Sequence, residues 1–99
     1  MTEMTLQEFK ATLASGRAPD VAPLLRALWH DARGDWERAH TIAQDIESKD
    51  AAWVHAYLHR KEGDAGNAGY WYDRAGQPVA ADSLEAEWTR IATAFLVGD

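Results

Sequence analysis

A short internal repeat constrains the fold of this chain more than any other feature of its sequence. Gly34-Asp35 and Gly63-Asp64 lie 29 residues apart. A glycine followed by an aspartate suits the end of one helix and the N-cap of the next. The same offset places small residues on small ones and large apolar residues on large apolar ones: Ala27 on Ala56, Ala39 on Ala68, Leu24 on Trp53 and Ile42 on Trp71. A helical hairpin of about 30–40 residues repeated in tandem predicts a helical solenoid.

The remaining segments also favour helix over strand. β-branched residues are few, and no stretch alternates apolar and polar residues as a half-buried strand would. The sequence therefore predicts an all-α single domain over residues 1–99 with about six helices. Two repeat units, 22–47 and 51–76, lie between capping helices at 5–15 and 82–97.

Capping residues predict where these helices begin and end. Thr5 and Glu8 have the spacing of a capping box, and Gly16 ends the first helix. Asp20 is predicted to cap the second helix, in which Pro23 is tolerable only in the first turn. Two further acidic N-caps are predicted, Asp50 for the fourth helix and Asp82, in a box with Glu85, for the last.

Two segments resemble known helical repeats. "GDWERAHTIAQDI" resembles the second half of a tetratricopeptide repeat, and "NAGYWYDRAG" is similar to the Sel1-like variant, with Ala68 followed by Trp71-Tyr72 and Arg74-Ala75. "WVHAYLHRKEGD" also resembles a family of small bacterial proteins of unassigned function. The chain departs from the tetratricopeptide pattern in its short first loop, its period below 34 and its two units. The resemblance implies that the first helices of successive units line a concave surface.

Composition and charge disfavour several classes of function. Ten basic against sixteen acidic residues give a net charge of −6, which disfavours binding to nucleic acid or to an anionic membrane surface. The absence of cysteine excludes disulfides and thiolate metal sites, and it fits a reducing compartment. The start, "MTEMTLQEFK", lacks the basic end and apolar block of a signal peptide. We therefore expect a cytoplasmic location.

The glycines at 63, 66 and 69 do not form a phosphate-binding loop. Their spacing is not G-x-G-x-x-G, no strand precedes them, and no Gly-Lys-Ser/Thr follows. Gly66 and Gly69 instead fall inside the fifth helix, where each costs about 1 kcal/mol relative to alanine. Tight packing against the fourth helix is the expected compensation.

The histidines are the main candidates for a binding site. The repeat pairs His30 with His59 and Arg26 with His55, and the resemblance places all four beside one groove. A cation and several imidazoles suit a carboxylate or peptide ligand. The first functional hypothesis is therefore a small non-catalytic module that binds a protein or peptide through Arg26, His30, His55 and His59.

The alternative hypothesis is a protein that binds a metal or small ligand on one helix face, either as a binding protein or as an enzyme. His55 and His59 are four residues apart, and Glu62 lies three further on, a spacing that converges on one face. Ala56 stands where H-E-x-x-H requires glutamate, which excludes a zincin. No metal or cofactor is assigned from the sequence, because the favoured interpretation is that these histidines form hydrogen bonds with carboxylates or backbone carbonyls within a helical packing interface.

Other polar and aromatic residues receive structural interpretations. No nucleophile or catalytic motif stands out, so we predict that the protein is not an enzyme. His40, Gln44 and Glu47 are interpreted as a polar surface stripe, and Asp31 and Arg33 as solvated charges at a helix end. Tyr70, Trp88 or the apolar side of the last helix could face a partner or a second copy of the chain.

Overall fold

The computed structural model describes residues 4–97, which form six α-helices and contain no strand. This confirms the predicted all-α class. The helices are α1 (Leu6–Ser15), α2 (Pro23–Ala32), α3 (Trp36–Gln44), α4 (Lys49–Lys61), α5 (Ala65–Ala75) and α6 (Leu84–Val97). No helix within the described residues is long and apolar enough to cross a lipid bilayer.

Helix α4 forms the centre of the molecule, as its nearly uniform apolar character predicts. Every residue from 51 to 59 is buried. It packs most extensively against α5 and also contacts α2, α3 and α6. Ala39 and Ala68, the small residues expected at helix crossings, are 0% and 3% exposed. Because residues 51–59 are enclosed by neighbouring helices, packing fixes the directions of the two polar side chains on that stretch that are not tyrosine, His55 and His59.

The turns between α2 and α3 and between α4 and α5 have the same local geometry. Gly34 and Gly63 have φ values of 88° and 92°, a left-handed conformation that favours glycine. Asp35 and Asp64 each accept a hydrogen bond from the backbone N–H three residues on. Their own N–H groups donate to the carbonyls of residues 30 and 59 at 2.8 and 2.9 Å. The 29-residue offset therefore holds at the turns, and the stacking of whole repeat units stays a prediction.

The first helix begins and ends as the sequence indicates. Thr5 accepts from the N–H of Glu8 at 3.0 Å, and the Glu8 carboxylate accepts from the N–H of Thr5 at 2.9 Å. Gly16 follows the helix with a φ of 77°. The capping box and the glycine stop are both confirmed.

Two of the predicted caps are wrong. Ser48, not Asp50, caps α4, because its hydroxyl accepts from the N–H of Ala51 at 3.0 Å and Asp50 lies inside the first turn. At α2 the N-cap is Ala22, which provides no side-chain hydrogen bond, so Asp20 does not act as the cap. Pro23 occupies the first turn as predicted, where its missing N–H removes no helical bond.

The cap of α6 also differs from the prediction. The hydroxyl of Ser83 accepts from the N–H of Ala86 at 3.0 Å, which assigns the capping role to Ser83. The carboxylate of Asp82 instead pairs with Arg90, and its backbone carbonyl accepts from Arg60. Asp and Ser have similar preferences for the N-cap position, so residue type alone does not distinguish Asp82 from Ser83.

The explanation expected for the helical glycines is wrong. A Cβ placed on Gly66 or Gly69 meets no atom within 4 Å. Neither glycine therefore allows a close approach to α4, and both positions have room for a methyl group.

The last helix closes the core. Trp88 is 6% exposed, stacks on Phe9 at 5.9 Å between ring centroids, and donates its indole N–H to the carbonyl of Leu28 at 3.0 Å. The prediction that Trp88 could face a partner is therefore wrong. Tyr70, by contrast, is 56% exposed, as its position outside the apolar stripe of α5 predicts.

Two buried carboxylates connect α4 to its neighbours. Asp31 accepts from the Tyr57 hydroxyl and the Lys61 ammonium, both at 2.9 Å, so its interpretation as a solvated charge is wrong. Glu87 is fully buried and accepts from Arg60 at 2.7 Å and from Tyr72 at 2.6 and 2.8 Å. These bonds hold the side of α4 that faces α2 and α6.

Candidate functional site

Three histidines meet on the opposite side of α4. His55 and His59 project from α4, and His40 reaches them from α3. One ring nitrogen from each lies within 4.8 Å of the other two. The Nε2 atoms of His40 and His55 are 2.9 Å apart, and the three pairs of ring centroids are separated by 4.6–5.2 Å. We call these residues the histidine cluster.

The local sequence explains how the histidine cluster assembles. His55 and His59 are four residues apart and therefore share one face of α4. His40 follows Trp36 by four residues and Ala39 by one, so it lies at the edge of the face by which α3 packs on the core. His55 and His59 are only 6% and 7% exposed, and His40 is half-buried.

Aromatic rings enclose the histidine cluster. The Trp36 ring stacks on His40 at 4.8 Å, and the Trp71 ring stacks on His55 at 3.9 Å. Trp36 is held in turn by a 2.8 Å hydrogen bond from its indole N–H to the carbonyl of Leu58. These contacts restrict rotation of both imidazoles and so fix the directions of their nitrogens.

Glu62 sets the tautomer of His59. Its Oε2 lies 2.7 Å from Nδ1 of His59. An ionised carboxylate only accepts hydrogen bonds, so Nδ1 carries the proton and donates it. The lone pair of a neutral His59 is then on Nε2. A carboxylate behind an imidazole in this way orients histidine ligands in many metal sites and increases their basicity.

The surroundings keep at least two of the imidazoles neutral. Burial, assisted by the nearby His40 and His59, lowers the pKa of His55 from 6.5 to about 4. Burial also lowers the pKa of His40, with a further contribution from His59 that Glu62 and Glu37 oppose. At pH 7 each of these rings therefore carries one N–H and one lone pair, and at 2.9 Å one of the two Nε2 atoms donates to the other.

Arg26 and His30, the other two predicted site residues, lie on α2. Arg26 is exposed, and His30 is half-buried with its ring edge-on to Trp29 at 5.2 Å. Within residues 4–97, no hydrogen bond or ring contact joins either of them to His55 or His59. The structure thus brings His55 and His59 together, while the four-residue groove stays a prediction.

Sequence reasoning missed His40. The sequence assigns it, with Gln44 and Glu47, to a polar surface stripe, and the repeat offers no histidine counterpart that would suggest otherwise, since residue 69 is glycine. The available signal was its spacing of four from Trp36, which places both side chains on one face of α3.

Comparisons with known proteins give no relative from which a function for this site could be transferred. The chain matches no protein-family model, no curated protein and no solved structure. The resemblance to tetratricopeptide and Sel1-like repeats therefore stays a prediction.

Proposed function

We propose that this protein binds a divalent transition-metal ion, with Zn²⁺ as the best fit, through His40, His55 and His59. The observation that carries the proposal is the convergence of one nitrogen from each ring within 4.8 Å of the other two. Three imidazoles of which two come from one turn of a helix are a common donor set for zinc.

The three ring nitrogens need to move only a short distance to reach the spacing of zinc ligands. Zinc–nitrogen bonds of about 2.0–2.1 Å in a tetrahedral site place ligand nitrogens about 3.3 Å apart. The His40–His55 separation of 2.9 Å is slightly below that value, and the 4.8 Å limit lies above it. Side-chain shifts on the order of 1 Å therefore suffice.

Donor chemistry determines which ions fit. Imidazole suits zinc, copper and nickel, whereas calcium and magnesium prefer oxygen ligands. The low pKa of His55 supports binding at neutral pH, because the ring is then neutral and one of its nitrogens has a lone pair for a metal ion. Three protein ligands leave a fourth position for water or an exchangeable ligand, which is the pattern of functional rather than purely structural zinc sites.

A metal titration with matched variants tests the proposal. Metal-free protein is titrated with Zn²⁺ by calorimetry and with Co²⁺ by visible absorption, which reports tetrahedral coordination. We expect one ion per chain and loss of binding in His40→Gln, His55→Gln and His59→Gln. Glu62→Gln should bind about 10–100-fold more weakly, since it removes the group that orients His59.

His30→Gln is the control, because it removes the one histidine outside the cluster. It should bind the metal as the unmodified protein does. Weak sub-stoichiometric binding, or equal losses in His30→Gln and His55→Gln, would show that the three rings only pack together.

The peptide-binding module is the second candidate. It is favoured by the exposure of Arg26, which has no carboxylate partner among residues 4–97 and lies next to the half-buried His30 on α2. The double variant Arg26→Gln/His30→Gln should lose affinity for an acidic peptide in fluorescence polarisation while keeping its metal content. Unchanged peptide affinity in that variant would exclude this candidate.

A further inference from the structure

A cleft of about 600 Å³ lies beside the histidine cluster, between the end of α3, the start of α4 and the C-terminal half of α5. Its volume is in the range of small-molecule sites, about 300–1,000 Å³. The apolar residues of its lining are Ala43, Ile46, Ala51, Ala52 and Trp71. His55, one of the three proposed metal ligands, also lines it, so the cleft and the proposed metal site are adjacent.

Two cations line the cleft of this acidic protein. Arg74 and Lys49 both contribute to its wall, against one acidic residue, Glu47. Within residues 4–97, neither cation has a carboxylate partner. The lining is therefore net positive, although the whole chain carries −6.

Arg74 is positioned before any ligand arrives. Its guanidinium carbon lies 5.5 Å from the centre of the Trp71 ring and 5.7 Å from that of Tyr70, and Nη1 donates to the Tyr70 hydroxyl at 3.3 Å. Stacking on aromatic rings reduces the rotamer entropy that binding would otherwise cost. The remaining N–H groups of its planar fork match the geometry of a carboxylate.

Trp71 adds an unused donor. The indole N–H groups of Trp29, Trp36, Trp53 and Trp88 all donate within the protein. That of Trp71 has no partner among the described residues, and it is not among their fully buried atoms. It is therefore accessible to solvent or to a ligand.

From these observations we infer that the cleft binds a small organic carboxylate with an apolar or aromatic body. The carboxylate interacts with Arg74 and Lys49, and the body lies against Trp71 and the alanine-rich floor. This ligand site goes beyond the proposed metal function and does not require it, because none of its donors is a member of the histidine cluster.

Benzoate and benzamide separate charge recognition from apolar binding. Each is titrated into ¹⁵N-labelled protein freed of metal on a chelating resin, and the indole N–H of Trp71 and the amides of Ser48–Ala52 are followed by NMR. Benzoate should shift these signals in a saturable manner and bind at least tenfold more tightly than benzamide. Arg74→Gln should weaken benzoate binding about tenfold, the loss of one charge-assisted hydrogen bond.

Matched surface variants complete the test. Arg17→Gln and Lys10→Gln remove one exposed cation each from outside the cleft and should leave benzoate affinity unchanged. The inference is overturned by equal affinity for benzoate and benzamide, by an absence of saturable shifts, or by equal losses in Arg17→Gln and Arg74→Gln. The metal titration is run separately on the same variants, so that failure of one proposal is distinguished from failure of the other.

Discussion

Replacing Glu87 should show how strongly the buried carboxylate stabilises the packing of α6 on α4. Its two oxygens accept from Arg60 at 2.7 Å, from Tyr72 at 2.6 and 2.8 Å and from Trp53 at 3.3 Å. A carboxylate accepts from every donor that reaches it, whereas a glutamine amide would direct its NH₂ at one of them. Burial and the bond to Glu87 raise the pKa of Tyr72, so its hydroxyl remains a neutral donor.

The expected decrease in the free energy of unfolding follows from the hydrogen bonds that each donor loses in Glu87→Leu. Tyr72 and Trp53 become buried donors without a partner, at about 1–3 kcal/mol each. Arg60 loses less than a fully buried cation, because its side chain is 22% exposed and also bonds the carbonyl of Asp82. We expect a total loss of about 4 kcal/mol, within the range for breaking a buried ion pair. That is a large part of the roughly 5–15 kcal/mol available to a domain of this size.

Urea unfolding, followed by circular dichroism, measures this loss. Glu85→Leu, an exposed position on the same helix, is the matched control and should change stability by less than about 0.5 kcal/mol. Tyr72→Phe should cost about 1–2 kcal/mol in the original protein but little in the Glu87→Leu background, since its partner is already absent. The reasoning is refuted if Glu87→Leu costs under 1 kcal/mol, or if Tyr72→Phe costs the same in both backgrounds.

Three further predictions concern pH, the glycines and metal. Because the pKa of His55 is about 4 when folded and 6.5 when unfolded, only the unfolded chain gains this proton between those pH values. The contribution of His55 to the free energy of unfolding should be complete above pH 6.5 and fall by roughly 3 kcal/mol as the pH drops to 4. The urea midpoints of His55→Gln should lack this pH-dependent component. Identical pH profiles for the variant and the original protein would contradict the prediction. Gly66→Ala and Gly69→Ala should each raise the free energy of unfolding by about 0.5–1 kcal/mol, since the methyl meets no neighbour, and a destabilised variant would disprove this. Zn²⁺ at 100 times its Kd should stabilise the protein by about 2.7 kcal/mol, a Tm rise on the order of 10 °C by calorimetry; the same rise in His40→Gln would count against the site.

The helical architecture could be predicted from sequence because its signals are local. The Thr5 box, the Gly16 stop and the Gly-Asp turns depend on residues within four positions of each other, and all are confirmed. Caps were mistaken where two suitable residues lie close together, as with Ser48 and Asp50. There the choice depends on the backbone path rather than on residue preference.

The polar interior could not be predicted in the same way. Asp31 is satisfied by Tyr57 and Lys61, which are 26 and 30 residues away. His40 joins the histidine cluster only because of the rotation of α3 about its axis against α4. Helical periodicity gives the faces of one helix, but it does not give the partner that each face meets.

The central position of α4 has a mechanical consequence. On one side it is anchored by Arg60 to Glu87 and by Tyr57 and Lys61 to Asp31, and on the other it presents His55 and His59. These buried hydrogen bonds and ion pairs hold α4 in place from the side opposite the histidines. Any tightening of the three imidazoles around an ion therefore falls mainly to the side chain of His40, the one member of the cluster that is carried by α3.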